Sequence, residues 1–170
     1  TRLGIGLAEL HRNSAENFGF HTNNYCGATP QPNPWSENWV DFYGEYRLEH
    51  QLRIGSYSRR GRKAIASVIE RLDTLLDADP EPPALIHGDL WSGNLHVTSE
   101  GDPALIDPAV YYGHREAELG MMQLFGGFSQ TTWQTYDQAY PLQAGWRERL
   151  PLYELYHVMN HNTLFGGGYA

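Results

Sequence analysis

At 170 residues the chain is long enough for one domain with a working core, since a chain of this size buries roughly two-thirds of the surface it exposes when unfolded. Twelve Lys and Arg against twenty Asp and Glu give a formal charge of −8, which argues against a nucleic-acid or anionic-membrane partner, because either would be repelled. Cys26 is the only cysteine, which excludes an internal disulfide; no apolar run approaches the roughly 20 residues that span a bilayer, and the expected location is the cytoplasm.

Leu3, Leu7 and Leu10 fall at helical spacing, so the chain opens with an amphipathic helix from Thr1 to about Arg12. Asn13 to Pro34, rich in Asn, Gly, Thr and Pro, reads as a long loop of turns. Ser36 is placed to cap a helix from Glu37 to about Glu49, whose aromatic stripe Trp39, Phe42, Tyr43 and Tyr46 belongs to the core. Gly55 to Gly61 interrupts, and Arg59, Arg60 and Arg62 read as a solvated basic turn. Ile65, Val68, Ile69, Leu72 and Leu76 mark the clearest helix, which Asp79-Pro80-Glu81-Pro82-Pro83 stops.

Leu85 and Ile86 then read as a short buried strand that ends in His87-Gly88-Asp89. Leu95-His96-Val97 is expected to pair with Ala104-Leu105-Ile106 across a turn at Ser99 to Asp102, and Pro108 to His114 forms a loop. Helices are predicted from about Arg115 to Phe125, with Leu119 and Met122 inward, and from about Gln130 to Tyr140. A last helix carries Trp146, Leu150, Tyr153, Tyr156, His157 and Asn160 along one side and is closed by Gly166-Gly167-Gly168. His157 and His161 are spaced to share a zinc ion on that helix, but the pattern lacks a Glu after the first His and a third ligand, so no metal site is expected there. The fold class is α+β, mainly helical.

The chemistry gathers around residues 85–109. Asp89 follows one apolar run, Asp107 follows a second, and Asn94 offers an amide oxygen five residues after Asp89. Phosphoryl transfer needs such a set, because Mg²⁺ takes hard oxygen ligands and a separate carboxylate must accept the proton of the attacking hydroxyl. His87-Gly88-Asp89-x-x-x-x-Asn94 keeps the Asp-to-Asn spacing of the protein-kinase catalytic loop, and Asp107-Pro108-Ala109 follows thirteen residues after Asn94.

The Leu-Trp-Ser-Gly-Asn form of this loop, the Asp-Pro-Ala, and Tyr112-Gly113-His114-Arg115-Glu116 resemble the fructosamine kinase (ketosamine 3-kinase) family. Asn24, Gly27, Gln31-Pro32-Asn33 and Trp39 to Arg47 resemble the segment before the catalytic loop, and Leu124 to Phe128 with His157-x-x-Asn160-His161 the segment after it. The resemblance implies the C-terminal lobe of a protein-kinase-like fold, with a small β-hairpin carrying the catalytic loop, as one domain over residues 1–170. A Gly-rich phosphate loop and a strand Lys paired with a helix Glu are not found, so the N-terminal lobe is expected to be absent from this chain, which begins at Thr1 rather than Met. The missing part would be supplied by further N-terminal residues, a second chain or a dimer, and the 170 residues alone are expected to be inactive.

The implied activity is ATP-dependent phosphorylation of a sugar hydroxyl on a ketosamine, with Asp89 as general base and with Asn94 and Asp107 binding Mg²⁺ and, through it, ATP. His87 and Gly88 shape the loop, and Glu118 stands where kinase-like folds place an Asp that bonds the loop backbone from below. Trp91 is expected to stack on the sugar-derived substrate. Asn24, Gln31 and Asn33 are either hydroxyl binders or turn formers, and His114 is a candidate for the pocket mouth. A kinase for another small molecule, such as an aminoglycoside or choline, and a non-catalytic binding module are the alternatives.

Overall fold

The computed structural model describes residues 1–77 and 80–166, so the expected stops at Asp79, Gly167 and Gly168 lie outside the described residues. Among the described residues the fold is a mixture of helices and three small two-stranded sheets. Helix α1, Arg2–His11, buries Gly4, Leu7, Ala8 and His11 against a later helix, α7, Gln130–Ala139. Gly4 makes that contact close: a Cβ there would strike the α7 backbone at Thr132 and Tyr136.

The segment 13–34 is more ordered than its composition suggests. It contains a hairpin, β1 Asn24–Cys26 with β2 Thr29–Gln31, in register Asn24↔Gln31 and Cys26↔Thr29. Its inward side chains are mostly polar, so the hydrophobic alternation that announces a strand is missing from the sequence.

The next helix begins later than expected. Asn38, not Ser36, caps it by accepting a hydrogen bond from the Asp41 N–H at 3.1 Å. It runs as α2, Trp39–Tyr43, then a π-helical segment, Gly44–Glu49, then α3, His50–Ile54. The basic cluster predicted as a turn is instead the first turn of α4, Arg59–Ile69, with Ser58 Oγ accepting from the Gly61 N–H at 3.0 Å. The predicted long helix also breaks at Glu70 and Arg71 before the single turn α5, Leu72–Leu75, because Leu72 and Leu76 turn inward to pack under Tyr43 and its neighbours.

β3, Ala84–Ile86, pairs antiparallel with β6, Tyr111–Gly113, in register Ile86↔Tyr111, where the sequence suggested only a loop. Tyr111 is buried and packs on Phe42, and that long-range packing holds the strand. The hairpin β4, Leu95–Val97, with β5, Pro103–Leu105, has the expected turn but a register one residue earlier, Leu95↔Leu105. It directly follows the 87–94 turn, and β5 leads on to Asp107. Helix α6, Arg115–Phe125, and the long helix α8, Trp146–Phe165, pack together at the centre.

Among the described residues two apolar clusters result. One gathers Phe42, Tyr43, Leu48, Ile86, Tyr111, Tyr153 and Tyr156; the other gathers Leu7, Leu90, Leu119, Met122, Tyr136 and Leu150. Ile86 and Leu90 anchor the two ends of His87-Gly88-Asp89 in different clusters, so the turn between them is pinned on both sides. Bidentate ion pairs Arg149–Glu116 and Arg115–Glu81 close the α6 N-terminus, with shortest contacts of 2.6 Å. Among the described residues, no helix is long and apolar enough to cross a membrane.

Candidate active site

The turn after β3 is held from below by one buried carboxylate. Glu118 Oε2 accepts the His87 N–H at 2.6 Å and Oε1 accepts the Gly88 N–H at 3.1 Å. Burial works against the Glu118 charge, but the His11 imidazole and the two backbone donors outweigh it and hold the carboxyl below its usual range. His11 is itself fixed by a 2.7 Å hydrogen bond between its Nδ1 and the Tyr136 hydroxyl. Gly88 has φ +81°, and a Cβ on it would collide with the Ala109 carbonyl, so the residue type follows from the backbone.

The Asp107 segment is stitched to this turn. The Ala109 N–H donates to the His87 carbonyl at 2.8 Å, and the Ile106 N–H donates to the Asn94 carbonyl at 3.1 Å. His87 Nδ1 accepts the Asp89 N–H at 3.3 Å, which leaves the proton on Nε2 to donate to the Ile106 carbonyl at 2.8 Å. Held on both sides, Asp107 adopts φ +52°, the one non-glycine residue with positive φ among the described residues, and its side chain is exposed. Asn94 is buried and gives its Nδ2 to the Asp89 carbonyl at 2.9 Å, so its side-chain oxygen remains for another partner.

Asp89 is half-buried. Burial first, then the nearby charges of Glu118 and Asp107, raise its carboxyl to about 7, with the Asn94 amide opposing the rise. A carboxylate so poised is a competent general base near neutral pH. It opens on a pocket of about 360 Å³, within the range of small-molecule sites. The walls are mostly apolar: Gly27, Trp91, Met121, Phe125, His161, Leu164 and Phe165. Trp91 is 41 % exposed and meets Phe125 edge-on at 6.4 Å; Phe125 in turn lies 4.7 Å from the His161 ring.

The sequence-nominated residues divide accordingly. Asp89, Asn94, Asp107, His87, Gly88, Glu118 and Trp91 belong to this one region. Asn24, Gln31 and Asn33 lie beneath it with their amides committed to protein partners. Gln31 and Asn33 both donate to Asn24 Oδ1, Asn24 donates to the Val110 carbonyl, and Gln31 also donates to the Ala109 carbonyl. Arg47 donates to Asn33 Oδ1 at 2.7 Å and lies 4.0 Å from the Tyr111 ring centre. His114 sits away from Asp89: it is buried, caps α6 by accepting the Glu116 N–H, and stacks on Tyr153.

The pocket walls from Met121, Phe125, Leu164 and Phe165 were not singled out as substrate contacts from sequence. Phe125 and His161 did lie in the segments that carried the family resemblance, whereas Leu164 and Phe165 carried no signal.

With this geometry in view, comparison with known proteins is decisive. The fructosamine kinase family profile matches residues 1–170. The chain belongs to the fructosamine kinase family. It is 45% identical over 169 residues to a probable ketoamine kinase of Synechocystis, covering 99% of this chain and 57% of that protein. It is 42% identical over 173 residues to the chloroplastic protein-ribulosamine 3-kinase of Arabidopsis thaliana, covering 98% of this chain and 52% of that protein. A crystal structure of a candidate fructosamine-3-kinase from Thermobifida fusca superimposes with a TM-score of 0.94 at 39% identity, covering 99% of this chain and 59% of that one. The chain thus spans little more than half the length of these fructosamine kinase relatives.

Proposed function

We propose that the chain is the catalytic C-terminal lobe of an ATP-dependent kinase that phosphorylates a sugar hydroxyl on ketosamines of the fructosamine or ribulosamine type. The observation that carries the reading is the Asp89 carboxylate, raised to about 7, set on a turn clamped by Glu118 and facing an aromatic-walled pocket. Relatives named ketoamine kinase and ribulosamine 3-kinase support the substrate class.

In the mechanism, the acceptor sugar lies against Trp91, whose flat exposed face suits the apolar face of a sugar ring. Its hydroxyl donates to Asp89, which aligns the oxygen on the terminal phosphorus and takes the proton as the new O–P bond forms and the bond from that phosphorus to the ADP oxygen breaks, with ADP as the leaving group. Glu118, by fixing the His87 and Gly88 amides, keeps Asp89 in place through the transfer.

The donor set also fits Mg²⁺. The free side-chain oxygen of Asn94 and the exposed carboxylate of Asp107 are both hard ligands, and two of them suit an ion that keeps several waters. Mg²⁺ held by these two residues would supply positive charge to offset that of the nucleotide phosphates. We assign the rest of the ATP grip to an N-terminal lobe or second chain, without which these residues would turn over little substrate.

The test is an assay of the full protein with ATP and a panel of glycated lysine, an aminoglycoside and choline. Turnover of the glycated amine, lost in Asp89→Asn with nucleotide binding retained, is expected. Turnover confined to the other two acceptors would overturn the substrate class, and an unimpaired Asp89→Asn would overturn the base.

A further inference from the structure

We propose that Cys26, Asp89 and His157 form a binding site for a borderline or soft divalent metal of the zinc class, separate from the hard-oxygen pair Asn94 and Asp107. One ligand atom from each of the three lies within 4.8 Å of the others. They come from β1, the catalytic turn and α8, so the tertiary fold and not a local motif assembles them. A thiol, an imidazole and a carboxylate match the mixed sulfur, nitrogen and oxygen preference of Zn²⁺ and differ from what Mg²⁺ takes.

Two features beyond proximity point to a ligand. The first is His157, which is buried and whose Nδ1 has no hydrogen-bond partner. An orphaned polar nitrogen in the interior is costly unless something occupies it. Burial also pushes the imidazole down to about 3, which keeps it in the neutral form that a metal requires.

The second is a relay of oriented amides that ends at the sulfur. The Thr163 hydroxyl donates to Gln51 Oε1 at 2.8 Å, Gln51 Nε2 donates to Asn160 Oδ1 at 3.0 Å, and Asn160 Nδ2 is thereby turned toward Cys26, at 3.3 Å from both its Sγ and its carbonyl oxygen. A donor held beside the sulfur, though shared with the Cys26 carbonyl, is placed to support a thiolate, as the groups around metal ligands commonly do.

Zinc–ligand bonds of about 2.0–2.3 Å require ligand atoms about 3.5 Å apart in a tetrahedron, so the three side chains need to close by about 1 Å. Burial pushes the metal-free Cys26 thiol up to about 12, so capture forms the metal–sulfur bond with release of one proton to solvent. Three protein ligands leave a fourth position open, and one of the three, Asp89, also lines the pocket. Occupancy would draw the Asp89 carboxylate away from the acceptor hydroxyl, so the metal acts as an off-switch for the kinase. The site rests on geometry alone; the switch rests on Asp89 being the base.

The test is a titration of the full protein with Co²⁺ as a spectroscopic stand-in. We expect a thiolate-to-cobalt charge-transfer band that saturates at one equivalent, bleaches on addition of Zn²⁺, and is unmoved by excess Mg²⁺. Cys26→Ser should abolish the band, and Asn160→Ala should weaken the affinity about 10- to 100-fold. Absence of the band in the unmodified protein overturns the site whatever the variants do, and so does a band of equal strength in folded Cys26→Ser. In parallel, Zn²⁺ should inhibit turnover at the concentration that bleaches the cobalt band. A band without inhibition would uphold the metal site and count against Asp89 as base, so the two failures are distinguishable.

Discussion

Replacing Asp89 with Asn should make the protein more stable while it abolishes turnover. The carboxyl stands at about 7 in the fold against 3.8 for a free Asp, so the folded state holds a proton that the unfolded state has already lost across that interval. Stability contributed by this group is therefore greatest near pH 4 and falls as pH rises toward 7, with no further change above. A displacement of that size corresponds to about 4 kcal/mol of penalty on the ionised form, and the half-open position of Asp89 reduces the realised figure to about 2 kcal/mol. Asn keeps the shape and removes the charge. Urea unfolding at pH 8 should show the variant about 1 M higher in midpoint with an unchanged slope, given slopes of about 1–3 kcal/mol/M for domains of this kind. The difference should shrink steadily between pH 7 and pH 4. A variant no more stable than the parent at pH 8, or a difference that ignores pH, would refute the claim that Asp89 is a strained base.

Glu118→Gln keeps one acceptor but turns an amide donor toward the backbone N–H groups of His87 or Gly88; it should cost about 1–3 kcal/mol in thermal unfolding and lower kcat more than it raises KM. Gly88→Ala should lose at least about 1–2 kcal/mol from its left-handed backbone alone, more with the Ala109 carbonyl in the way, as read by denaturant midpoint. Arg149→Ala leaves Glu116 charged and buried without its bidentate partner, and a loss of about 3–5 kcal/mol should appear in calorimetry. Trp91→Ala, on an exposed side chain, should raise KM for the glycated acceptor with little change in melting temperature; an unchanged KM would remove Trp91 from the acceptor site.

Where a segment's own residues decide its conformation, the sequence was readable. The α6 limits, the extent of α1 and the turn of the β4–β5 hairpin follow from periodicity and turn chemistry, and the His87-Gly88-Asp89 turn follows from its motif, whereas only Leu7 of the expected α1 stripe is buried. What escaped depends on distant partners. Three-residue strands such as β1, β2 and β6 are too short to display a period, and Tyr111 becomes a strand residue because Phe42 and Ile86 lie against it. Asn24, Gln31 and Asn33 illustrate a second limit: an amide signals that a hydrogen bond will be made, but not whether a ligand or the protein makes it. His157 shows in the sequence only as half of a His157–His161 pair without a third ligand, and Cys26 only as a lone cysteine; the fold sets both beside Asp89.

The π-helical segment Gly44–Glu49 acts as a phase corrector. Trp39, Tyr43, Arg47 and Gln51 recur every four residues, a spacing that in an unbroken α-helix would rotate by about 40° at each step and carry Gln51 about 120° away from Trp39. The wider turns absorb that drift, so all four side chains stay buried on one side. A change that rewound 44–49 as α-helix without shortening the chain would swing the downstream face outward. Arg47 would then leave Asn33, Gln51 would leave Asn160, and two props beneath the Asp89 pocket would go together. A one-residue deletion, by contrast, would set Gln51 about 20° round a uniform α-helix from Trp39 and keep it inward, so the winding of this segment, more than the identity of its residues, is the quantity under constraint.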